Sequence, residues 1–73
     1  MMPAITHQKY DEKVAIYGLL KEYLGVLDSD ERRGLALALS ERLMAQLSLG
    51  DLSSWRQGLE RSKAKGWRPN DAE

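Results

Sequence analysis

The stretch Asp28–Gly50, DSDERRGLALALSERLMAQLSLG, decides the fold. Acids open it at Asp28, Asp30 and Glu31, leucine, alanine and methionine fill its body, and a glycine closes it. Asp28 with Glu31 three residues on has the spacing of a capping pair, in which side chains take up free backbone N–H groups of the first turn. Acids there also suit the positive end of the helix dipole. Leu35, Leu39, Leu43 and Leu47 then recur every four residues along one side, with Ala36, Leu37, Met44 and Ala45 broadening it. The pattern predicts a helix over about residues 29–49 that touches neighbours on two sides, a central strut. Gly34, worth about 1 kcal/mol less than alanine inside a helix, reads as a close approach of another helix. Gly50 reads as the stop.

A shorter amphipathic segment flanks the strut on each side. Before it, Tyr10, Val14, Tyr17, Leu20, Leu24 and Leu27 recur at steps of three and four, with Ile16, Leu19, Tyr23 and Val26 widening the stripe. A helix over about residues 10–24 follows, with Asp11 and Glu12 in its first turn and Gly25 as a left-handed stop. After it, Leu52, Trp55 and Leu59 form a thin stripe opposite Arg56, Arg61, Lys63 and Lys65. That third helix is expected over about residues 52–65, capped by Asp51, Ser53 or Ser54 and ended by Gly66. Residues 1–8 lack periodicity and read as a flexible arm, either frayed or ordered by a partner. Residues 68–73 read as a disordered polar tail. The expected fold is all-α: a small three-helix domain over residues 9–67.

Composition narrows function mainly by exclusion. A chain of 73 residues makes one domain at most and buries a small core. There is no cysteine and one histidine, His7, so neither a disulfide nor a thiolate or imidazole-rich metal site is available. No apolar run approaches the roughly 20 residues of a membrane helix, and no secretory signal opens the chain, which points to a cytoplasmic protein. Eleven basic residues balance eleven acidic ones, but unevenly: residues 1–31 are net −3 and residues 32–73 net +3.

No catalytic constellation stands out. Asp28, Asp30 and Glu31 sit where a helix start needs acids, and His7 has no nucleophile beside it. Residues 43–66 invite comparison with a DNA-binding helix-turn-helix, in which Ser53, Ser54, Arg56 and Gln57 would face the major groove. The competing reading of the same basic residues is a solvated helix end, where the dipole favours cations. Trp67 beside Arg68 has hot-spot composition, but Trp67 also stands where an apolar residue folds back over a helix end. The wide apolar face of residues 35–47 also suits a small dimerisation or structural subunit.

From the arm MMPAITHQKYDEK through the helical body to the tail SKAKGWRPNDAE, the length and layout resemble those of small phage-encoded regulators of host transcription that bind RNA polymerase. The resemblance implies a non-catalytic protein of the host bacterial cytoplasm that binds the β′ and β subunits near the RNA exit channel. It further implies displacement of σ factor, hence inhibition of initiation, and antitermination during elongation. It implies no cofactor, membrane or small-molecule substrate, and leaves room for indirect contact with nucleic acid. No residue carries over by motif. The residues proposed for partner binding come from this sequence alone: Ile5, His7, Tyr10 and Val14 at the front, and Arg56, Arg61, Lys65, Trp67 and Arg68 at the basic end. An acidic front and a basic back suit the bridging of two subunits.

Overall fold

The computed structural model describes residues 4–67, with side chains from residue 8 onward. Those residues form three helices, α1 (Ala4–Leu24), α2 (Asp30–Gln46) and α3 (Leu49–Ala64), and no strand. The all-α three-helix architecture is the expected one, but the boundaries differ. α1 begins at Ala4 rather than near residue 10, so residues 4–8 of the expected arm carry helical backbone. Ala4, Gln8 and Lys9 are good helix formers. Residues 1–3 and the tail at 68–73 lie outside the described residues.

The two serines, not the flanking acids and glycine, set the junctions. Ser29 is the N-cap of α2, its hydroxyl accepting from the Arg32 N–H at 3.4 Å, so Asp28 stands one residue outside the cap. α2 ends at Gln46, and Ser48 already caps α3 by accepting from the Asp51 N–H at 3.2 Å. Gly50 is therefore inside the first turn of α3 and stops nothing, while Asp51, Ser53 and Ser54 lie within that helix. α2 ends without a left-handed residue because Leu47 takes extended backbone and its N–H donates to the Met44 carbonyl at 3.4 Å. Gly25 also differs from expectation, since among the described residues only Gly66, at φ 92°, is left-handed. What Gly25 supplies is room: a Cβ there would lie 3.2 Å from the Lys21 carbonyl oxygen and 3.3 Å from that of Glu22. At the end of α3 the expected stop holds, with the Gly66 N–H donating to the Lys63 carbonyl at 2.9 Å.

The core consists of Ile16, Leu20 and Leu24 from α1, Met44 from α2 and Leu52 from α3. Tyr23, Leu27, Ala36, Leu37, Leu47, Trp55 and Leu59 pack around it. α1 is thus the hub and α2 is not the strut. Glu12 meets Ser53 and Arg56, and Glu22 meets Lys63, so α1 and α3 run parallel. Met44 and Leu37 border the clefts beside Tyr17 and Lys21, so α2 runs antiparallel to α1. α2 and α3 make few contacts with each other. Gly34 has no heavy atom within 4 Å of a would-be Cβ, so the close approach expected there is absent.

The leucine row that suggested a strut faces outward. Leu35, Leu39 and Leu43 are 64%, 55% and 52% exposed. Residues two apart on a helix are turned by about 200°, so once Leu37 faces α1, Leu39 must face away. The apolar stripe of α1 shifts likewise: Ile16, Leu20 and Leu24 are buried, whereas Tyr10 and Val14 are 65% and 51% exposed.

Candidate interaction surfaces

Arg56 was a candidate for partner binding, and the fold uses it internally. Its Nε–H donates to Glu12 Oε1 at 2.5 Å and its Nη2 to Oε2 at 3.4 Å, while Nη1 reaches Glu60 Oε2 at 3.0 Å. The Ser53 hydroxyl donates to Glu12 Oε2 at 3.1 Å. Glu12 thereby ties α1 to α3, since fork-shaped guanidinium donation fixes orientation as well as charge. Two of the four side chains that a helix-turn-helix would turn toward DNA, Ser53 and Arg56, are spent on this carboxylate.

The hub makes stability depend on pH. The Arg56 hydrogen bond holds the Glu12 carboxyl below its ordinary value of 4.5, opposed by partial burial and reinforced by Ser53. Because the folded value is depressed, the contribution is fully present above 4.5 and disappears as pH falls through the lowered folded value. In thermal melts followed by circular dichroism, wild type is expected to melt above Glu12→Gln at neutral pH, with the gap closing in acid. A gap that stays constant down to about pH 2 would contradict the assignment.

The remaining candidates fall into two groups. Tyr10 and Val14 project from the front half of α1, followed by Tyr17, whose ring lies 5.7 Å from the Lys21 ammonium. Ile5 and His7 belong to the first turns of α1, and their side chains are outside the described set. Val14 and Tyr17 also border an open cleft of about 310 Å³ between α1 and α2, completed by Lys13, Glu41, Met44 and Ala45. At the other end, Arg61 and Lys65 are exposed on α3 and its cap. Tyr10 precedes Glu22, the partner of Lys63, by 12 residues, about 18 Å of helix. The fold therefore keeps the two groups apart, at opposite ends of the body.

Trp67 joins neither group. Its ring meets Tyr23 edge-on at 5.0 Å between centroids, an attractive geometry for aromatic pairs. Left-handed Gly66 turns the chain back to allow it. The Trp67 indole N–H is covered and has no acceptor among the described residues. Arg68 lies outside them.

The Leu35–Leu39–Leu43 ridge, expected in the interior, lies on the surface. Nothing in its composition distinguishes it from a core face, since the same four-residue spacing serves either role. Among the described residues there is no cluster of three or more side chains able to hold a metal ion, and no helix long and apolar enough to cross a membrane. Comparison with protein-family models, curated proteins and solved structures gave no match.

Proposed function

We propose that this chain is a non-catalytic transcription regulator that binds bacterial RNA polymerase in the host cytoplasm, engaging the β′ and β subunits. The whole-chain resemblance in length and layout supports the choice of partner. The observation that carries the binding mode is the separation of two unlike exposed surfaces on one small body: the Tyr10–Val14 face and the Arg61–Lys65 end. Aromatic and arginine side chains are the usual anchors of protein interfaces, and opposed chemistries fix which surface meets which partner. On this reading the regulator displaces σ factor to inhibit initiation and suppresses termination during elongation.

Retention on immobilised bacterial RNA polymerase tests the proposal. Because the residues are exposed, Tyr10→Ala/Val14→Ala and Arg61→Glu/Lys65→Glu should keep wild-type helicity. Each pair is expected to weaken retention about tenfold or more, with the charge-reversal pair losing the salt sensitivity of the wild type. Absence of retention at low salt would refute polymerase as the partner.

A further inference from the structure

The outward face of α2 carries a row with internal symmetry. Leu35 and Leu43 lie four residues either side of Leu39, and Arg32 and Gln46 lie seven either side. Steps of four and seven keep all five residues on one helix face. Arg32, Leu35, Leu39, Leu43 and Gln46 are all exposed. We propose that α2 pairs with α2 of a second copy of this chain, antiparallel, about a two-fold axis passing beside Leu39.

Such an axis requires a surface to complement itself, and this row does so. Leu39 meets Leu39 of the second copy, and Leu35 meets Leu43. Arg32 meets Gln46, whose amide oxygen accepts from a guanidinium. It also approaches the last carbonyls of the opposing α2, which are the negative end of that helix, in a last turn with no basic residue of its own. A parallel pairing would instead set Arg32 against Arg32. One exposed edge of the row carries Glu31 and Arg42. The opposite edge is apolar, with Ala36 and Leu47 half-buried against the body. A foreign helix would need none of this two-fold symmetry, which is why a second copy is the occupant favoured here. The pairing stands independently of the polymerase proposal, because it uses neither Tyr10–Val14 nor Arg61–Lys65.

Cysteine substitution in this cysteine-free chain tests both association and direction. Under mild oxidation Leu39→Cys is expected to form a covalent dimer rapidly, since the axis places the two positions within disulfide reach. Leu35→Cys and Leu43→Cys should each cross-link slowly alone and rapidly when mixed. In sedimentation equilibrium, wild type should associate with rising concentration, and Leu39→Lys should weaken that association by about 100-fold while remaining helical. Rapid self-cross-linking of Leu35→Cys, a wild type that stays monomeric to about 1 mM, or a helical Leu39→Lys that associates like wild type would each overturn the proposal.

Discussion

Leu52→Ala is expected to leave the chain largely unfolded where the wild type is folded, with loss of the helical circular dichroism signal and of any cooperative melt. Leu52 is fully buried and is the only fully buried side chain that α3 contributes. It inserts from the first turns of α3 into the core that Ile16, Leu20 and Leu24 of α1 help to build. Truncating a buried leucine to alanine costs about 2–5 kcal/mol, through lost burial and the cavity left behind. A domain of this size, without disulfide or metal, has about 3–5 kcal/mol to lose. The substitution therefore removes most or all of the margin. A cooperative melt shifted by only a few degrees would show that Leu52 is not the keystone between α1 and α3.

Met44→Ala should act differently at a similar cost of about 2–5 kcal/mol. α2 has a single buried residue, Met44, supported by the half-buried Ala36 and Leu37. α1 and α3 are held together by separate means: Leu52 in the core, the Glu12–Arg56–Ser53 cluster, the Lys63–Glu22 pair at 2.7 Å and the Tyr23–Trp67 contact. Loss of Met44 should thus release α2 while α1 and α3 stay paired. Hydrogen exchange reads this directly, because local opening exposes one element's amides while the others keep their protection. Fast exchange confined to residues 30–46 is the expected pattern. Uniform acceleration across all three helices would mean that α2 is integral to a single cooperative core.

The helices were legible because apolar spacing and capping residues report local structure. Leu52, Trp55 and Leu59 fell on the packed face of α3 as their spacing indicated, and Gly66 ended that helix. What spacing could not fix is which face of α2 meets the body. Leu35–Leu39–Leu43 and Leu37–Met44 are two apolar rows on opposite sides of one helix, and only the docking of α1 chooses between them. α1 gives its other side to α3 and covers one face of α2, that of Leu37 and Met44. The junctions were misplaced for a related reason: Asp28, Ser29, Ser48 and Gly50 are all acceptable cap or stop residues, and the choice depends on the path of the connecting chain. Of the proposed binding residues, Arg56 illustrates the same limit. Its charge was visible, but its carboxylate partner lies 44 positions away in the sequence, beyond the reach of helical spacing.

α2 presents a second apolar face to the outside, and the fold is expected to stand without it. Replacing Leu35, Leu39 and Leu43 together by glutamine, a good helix former, tests it most directly. Circular dichroism melting would be followed at a dilution where wild type and variant are both monomeric. An unchanged helical spectrum and a melt within about 5 °C of wild type are expected, as for exposed positions elsewhere. Collapse to a coil spectrum would contradict it, and would place the three leucines in the core.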